Sequence, residues 1–237
     1  MQKNKIHILC TRPVGEALLK EAAQNDILID EISFINTKEI VNTENEKKIR
    51  EFSHQNINVV FTSMNAVEAV SQFISAKTSW KIFCIGNTTK KLVKKIFGEQ
   101  NISGTAESAD QLAETILEKA NDKNILFFCG DHRRDELPAK LKKNGFEVEE
   151  IIVYKTIETP EILTKQYDGI LFFSPSAVQS FFSKNSLTHT TQVFAIGATT
   201  ANAIKLFTQQ PVIIAENPGK ENLLNLVIKH FSKSKIY

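Results

Sequence analysis

Three observations on this 237-residue sequence predict an α/β fold with two parallel-sheet lobes, one inserted in the other. Short apolar runs alternate with amphipathic stretches from end to end, as in a parallel sheet covered by helices. One set of residues recurs at a shift of 111: Phe61 and Phe172, Ser63 and Ser174, Ala66 and Ala177, Val67 and Val178, Gly86 and Gly197, Thr89 and Thr200. A second set recurs at a shift of 119: Ile6 and Ile125, Cys10 and Cys129, Glu31 and Glu150, Ile32 and Ile151, Thr37 and Thr156. A repeat of so long a period means two copies of a whole domain. The chain length suits two domains of roughly 100–120 residues each.

Taken in order, strands are predicted at Ile6–Cys10, Ile27–Phe34, Val59–Phe61 and Ile82–Ile85, with a weaker one near Asn101–Thr105. Further strands follow at Ile125–Phe128, Phe146–Tyr154, Ile170–Phe173, Val193–Ile196 and Val212–Ala215. The polar stretch Lys38–Asn58 reads as a solvated connector in which Ile49 and Phe52 could anchor a short surface helix. Ser108 and Gln111 have the spacing of a capping box ahead of Leu112, Ile116 and Leu117. Asn144-Gly145 closes a helix. Ser174-Pro175 sets an N-cap before a proline at the first helical position. Leu223, Leu224, Val227, Ile228 and Phe231 form the apolar face of the last helix.

The two shifts together order the units. The outer copy runs first and second (Ile6, Ile27), then third to fifth (Ile170, Val193, Val212), whereas the middle of the chain runs third to fifth and then first and second. The middle copy is therefore a circular permutant. One lobe comprises residues 1–36 and 157–237, and residues 37–156 form the inserted lobe. Each is expected to be a five-stranded, flavodoxin-like parallel sheet. The crossings near Ile32–Thr37 and Val153–Thr156 share an E-I-x-x-x-x-T pattern and are expected to pair as a two-stranded β hinge, leaving one cleft between the lobes.

Composition narrows the function classes. A net charge of +2, with Lys and Arg interleaved among Asp and Glu, gives no footprint for nucleic acid or a membrane surface. The run Lys90, Lys91, Lys94 and Lys95 reads as a solvated helix face. No stretch approaches the roughly 20 apolar residues of a membrane span, and the start lacks a signal-peptide core. The three cysteines, Cys10, Cys84 and Cys129, each sit in a strand-like apolar run, so they read as buried hydrophobes in a reducing cytoplasm.

Ligands of parallel α/β sheets bind beyond the carboxyl ends of the strands. The repeated motifs Thr62-Ser63, Ser174-Pro175-Ser176, Gly86-Asn87-Thr88-Thr89 and Gly197-Ala198-Thr199-Thr200 fall there. Each offers hydroxyls and backbone N–H groups at the positive end of a helix dipole, a combination suited to anions. It is also the composition of an ordinary helix cap. Arg12 and Arg133-Arg134 follow equivalent strands and could fork onto carboxylates, or be plain surface charge. Tyr154 lies on the predicted hinge and would face the cleft if strand alternation turns it there. Dinucleotide and P-loop fingerprints, metal-ligand spacing of the five histidines, C-x-x-C and the G-x-S-x-G elbow are all missing. An enzyme built this way works by positioning and hydrogen bonding, without metal or cofactor.

Six segments resemble uroporphyrinogen-III synthase, in order and over nearly the whole chain: F-T-S-M-N-A-V (61–67), I-G-N-T-T (85–89), F-F-C-G-D-H-R-R-D-E-L-P (127–138), V-Y-K-T (153–156), F-F-S-P-S-A-V (172–178) and A-I-G-A-T-T-A (195–201). T-R-P (11–13) is similar to the bacterial members. The resemblance implies cyclisation of hydroxymethylbilane to uroporphyrinogen III, with inversion of ring D and loss of water. It implies that Tyr154 is the important tyrosine, hydrogen-bonding the leaving hydroxyl. It further implies that Thr89 and Thr200, with Ser63, Ser174 and their amides, hold acetate and propionate groups. Thr62, Asn87, Thr88, Ser176, Thr199, Arg12 and Arg133 complete the expected substrate-binding set. Hand-over from hydroxymethylbilane synthase to a monomeric cytoplasmic enzyme is expected, with no nucleic-acid or membrane partner. A non-catalytic, two-lobed cytosolic anion-binding or sensor protein is the alternative, and flavin binding rests on fold analogy alone.

Overall fold

The computed structural model describes residues 5–74 and 77–233, apart from the side chains of Asn87 and Lys233. The chain begins with β1 (Ile6–Cys10), α1 (Glu16–Gln24), β2 (Ile27–Glu31), β3 (Ile35–Glu39) and α2 (Thr43–Ser53). It continues through β4 (Asn58–Phe61), α3 (Met64–Ser71), β5 (Lys81–Ile85), α4 (Asn87–Phe97), β6 (Ile102–Ala106) and α5 (Ala109–Lys119). Then come β7 (Asn124–Gly130), α6 (Glu136–Lys143), β8 (Glu147–Glu158), β9 (Gly169–Phe172) and α7 (Pro175–Phe182). It ends with β10 (Gln192–Ala195), α8 (Ala198–Ile204), β11 (Val212–Ile214) and α9 (Lys220–Lys233). Met1–Asn36 and Ile157–Tyr237 make one compact unit, and Thr37–Thr156 make the other.

The first unit carries a sheet ordered β11-β10-β9-β1-β2, with every adjacent pair parallel. Alternation along the strands sends side chains to two cores. Ile8, Cys10, Leu171 and Phe194 pack with Leu18 and Ala22 of α1 and Leu223, Leu224 and Val227 of α9. Leu9, Ile170, Phe172 and Val193 pack on the other face with Val178 and Phe181 of α7 and Ala201 and Ile204 of α8. Each such large apolar side chain contributes about 1.5–3 kcal/mol on burial.

In the second unit the order is β3-β8-β7-β4-β5-β6. With β3 set aside, each sheet has the 2-1-3-4-5 order of a flavodoxin-like fold, reached from different chain orders. The expected strand Ile27–Phe34 is shorter, β2 ending at Glu31, and a separate strand β3 starts beyond it at Ile35, so this sheet has six strands rather than five. The break falls where the Phe34 side chain is buried and its carbonyl accepts from the Thr159 amide at 2.9 Å. The connector region is also more ordered than its polarity suggests. Asn42 caps α2 by accepting from the Asn45 amide at 2.8 Å, and Ile49 is fully buried beneath it.

The repeat is out of step in one strand. Cys10 lies between Leu171 and Glu31 in the first sheet, and the residue between Val60 and Glu150 in the second is Phe127, not Cys129. β7 is therefore displaced by two residues from the 119-residue repeat, and it ends three residues beyond the counterpart of Cys10, in Phe128, Cys129 and Gly130. Because two residues is one full pleat, inward and outward faces are preserved.

Candidate active site

The repeated motifs stand where parallel strands give way to helices. In the second unit, Ser63 follows β4 and caps α3, its Oγ accepting from the Asn65 amide at 3.1 Å. In the first, Ser174 follows β9 and caps α7 through the Ala177 amide at 3.2 Å. Capping therefore accounts for one acceptor site on each hydroxyl. Thr62 and Ser176 flank these caps, both half-buried.

The next helix start in each unit is built differently. α4 begins after Gly86, whose φ of 68° lies in the left-handed region that glycine alone enters freely. α8 begins after Gly197, whose backbone is extended. Neither start has a side-chain cap, so first-turn amides are left without one. Thr89 and Thr200 occupy the same place in these turns, 6% and 3% exposed, while Thr88 and Thr199 face solvent. The Asn87 side chain lies outside the described residues.

Tyr154 sits near the carboxyl end of β8, half-buried. Strand alternation does not decide its direction. Cys129 pairs with Ile152 but Gly130 pairs with Tyr154, so Val153 is an extra residue in β8. This β-bulge re-aims the chain, and Val153 and its neighbour Tyr154 both pack against the core that holds Phe61 and Phe128. Burial pushes the phenol above its ordinary pKa, and a hydrogen bond with Ser63 pulls weakly the other way. The group is therefore a neutral O–H donor at neutral pH.

The cations divide. Arg133, in the turn after β7, forms ion pairs with Glu150 and Asp135, and Lys142 also bridges Glu150 at 2.9 Å. Its fork is thus occupied by protein carboxylates. Arg12 is exposed as a residue, though burial around its guanidinium holds the pKa below its ordinary value, and that group lies 5.9 Å from the centre of the Phe173 ring. Near it is Lys220, whose Nζ donates to the Pro13 carbonyl at 2.6 Å. Burial and then the Arg12 charge hold that ammonium below its ordinary pKa. Sequence reading missed Lys220, which has no local signal beyond a helix start. Glu31 meets the same turn, its Oε1 accepting from the Val14 amide at 2.6 Å, so the approach to α1 already holds a carboxylate.

The cysteine thiols are unsuited to chemistry. Burial pushes Cys10 up to about 12, and Cys84 and Cys129 up to about 11, so thiolate is negligible at neutral pH. No group of three or more His, Cys, Asp or Glu with metal-site geometry occurs among the described residues, nor does a helix long and apolar enough to cross a membrane. A cavity of about 480 Å³ lies at the opposite, amino ends of β7 and β8. Asp122, Glu147 and Glu149 line it, an acidic wall that disfavours anions.

Comparison with known proteins adds three kinds of likeness. The family model described as uroporphyrinogen-III synthase HemD matches residues 18–225. The uroporphyrinogen-III synthase of Schizosaccharomyces pombe is 26% identical over 160 residues, and that of Saccharomyces cerevisiae is 26% identical over 118. Those alignments cover 62% and 42% of this chain and span 61% and 42% of the length of the two relatives. Among solved structures, uroporphyrinogen-III synthetase from Helicobacter pylori superposes with a TM-score of 0.68 at 15% identity, covering 95% of this chain and 99% of its own. A mutant uroporphyrinogen III synthase from Thermus thermophilus gives 0.61 at 13%, covering 97% and 98%. At these identities the structural likeness speaks for the fold.

Proposed function

We infer the activity from one premise: the chain belongs to the uroporphyrinogen-III synthase family, whose model matches residues 18–225. The protein converts hydroxymethylbilane to uroporphyrinogen III. The hydroxymethyl C–O bond breaks, the hydroxyl leaves as water, and the azafulvene-type electrophile so formed is attacked by the substituted carbon of ring D. Closure without the enzyme gives the other isomer, so geometry is the main catalytic contribution.

The observation that carries this reading is the half-buried, protonated phenol of Tyr154, hydrogen-bonded to Ser63 at the carboxyl edge of its sheet. An O–H donor there assists departure of a hydroxyl without metal or cofactor. The uncapped starts after Gly86 and Gly197, with Thr88, Thr89, Thr199 and Thr200, suit the carboxylates of a substrate carrying eight of them. Ser63 and Ser174 contribute the hydrogen-bonding capacity left after capping. Arg12 is favoured over Arg133 as a substrate cation, because Arg133 is already paired. Work in the cytoplasm accords with three buried, unbridged thiols, and work as a monomer receiving substrate from hydroxymethylbilane synthase belongs to the same reading.

The test is incubation with hydroxymethylbilane, oxidation of the product and chromatographic separation of isomers I and III. Isomer III is expected. Isomer I alone, at the uncatalysed rate, would leave only the anion-binding reading. Tyr154→Phe is expected to fold and to lose isomer III production by about 10²–10⁴-fold, the usual worth of a general acid. Wild-type isomer ratios from that variant would remove Tyr154 from the mechanism.

A further inference from the structure

The three residues by which β7 outruns β1 have a use. Gly130, the last of them, pairs with Tyr154 across the bulge. A Cβ built on Gly130 would lie 2.5 Å from Cζ, 2.6 Å from Cε2 and 2.8 Å from Oη of Tyr154. The phenol end of the ring therefore rests on the bare Cα of Gly130. This glycine is not among the positive-φ residues, so space and not backbone freedom is what a side chain would violate.

Asp131 fixes the backbone on the other side. Its amide donates to the Tyr154 carbonyl at 3.1 Å, and its Oδ1 accepts from the Thr156 amide at 3.0 Å. Ser63 meets the phenol from the start of α3. Ser63 Oγ, which accepts from the Asn65 amide, keeps its own hydrogen and a second lone pair for the phenol.

We propose that Gly130, the bulge opposite it and the Asp131 clamp form a seat that aims the Tyr154 hydroxyl at the departing group of the substrate. Gly130 and Asp131 are positioning residues, acting through Tyr154 and not on substrate. The proposal rests on the reading of Tyr154 as proton donor. Anything larger than glycine at position 130 tips the ring out while the backbone keeps its path, since the colliding atoms are the free end of a side chain.

A double-mutant cycle on the full-length protein tests it. Gly130→Ala is expected to lower the turnover for isomer III by about 10²-fold, the cost of roughly 1 Å of misplacement, with KM nearly unchanged. Tyr154→Phe carrying Gly130→Ala should be no slower than Tyr154→Phe alone. Asp131→Ala, on an exposed residue, should give a smaller loss that likewise vanishes in the Tyr154→Phe background. In ring-labelled protein, Gly130→Ala should shift the Tyr154 resonances and bring its titration to lower pH. Losses that multiply in the double variants would overturn the seat, as would a wild-type rate for Gly130→Ala beside an impaired Tyr154→Phe. A Tyr154→Phe variant as active as wild type would instead overturn the reading of Tyr154, and the seat with it.

Discussion

Tyr154 illustrates how a single ordinary side chain acquires a definite acidity. Its phenol is useful only while protonated, and the acid form persists below its pKa. Burial raises that pKa above the ordinary value of about 10, so the alkaline loss of activity moves upward, not downward. Isomer III formation is expected to hold through about pH 10 and to decline only beyond. A descending limb centred near neutrality in wild-type protein would rule out the phenol as the donor. Arg133 shows the opposite lesson. Its sequence position matched that of Arg12's region closely enough to suggest a shared role, but Glu150 of β8 closes on Arg133 from the strand next to β7. Such a partnership depends on which strands are adjacent, and nothing local in the sequence announces it.

Helix starts are the elements that the sequence specifies most directly, because a cap joins residues two or three apart. Ser108 accepts from the Gln111 amide at 3.3 Å, Ser174 caps α7, and Asn144-Gly145 ends α6, all as expected from local composition. Register is different. The extension of β7 to Gly130, the bulge at Val153 and the placing of β3 beside β8 arise from pairing with distant strands, so alternation and repeat spacing could not supply them. For the same reason Tyr154 was legible as a residue of interest, whereas Gly130 beneath it was not. The caps differ in consequence. Ser108→Ala is expected to cost about 1 kcal/mol of stability, read as a lower urea midpoint, with isomer III production unchanged. Ser63→Ala should cost a similar amount and also slow the reaction, because its hydroxyl meets the phenol. Equal activity in both variants would deny Ser63 any part beyond its cap.

The residues of the second unit supply both of its own cores, one around Phe61, Trp80 and Phe128, the other around Phe83, Phe127 and Leu141. Its ends belong to β3 and β8, which are neighbours in one sheet. The isolated segment 37–156 is therefore expected to fold alone and unfold cooperatively in urea, yet to make no isomer III. A gradual, non-cooperative transition would show that it needs the flanking chain. The first unit has no such independence, since its central strand β9 comes from residues far beyond its beginning. Synthesis from the amino terminus gives that interruption a temporal meaning. At about 5–20 residues per second, β1 and β2 emerge on the order of ten seconds before β9, β10 and β11. The guest completes itself first, while the host waits as a two-stranded fragment, open along the edge where β9 will later dock.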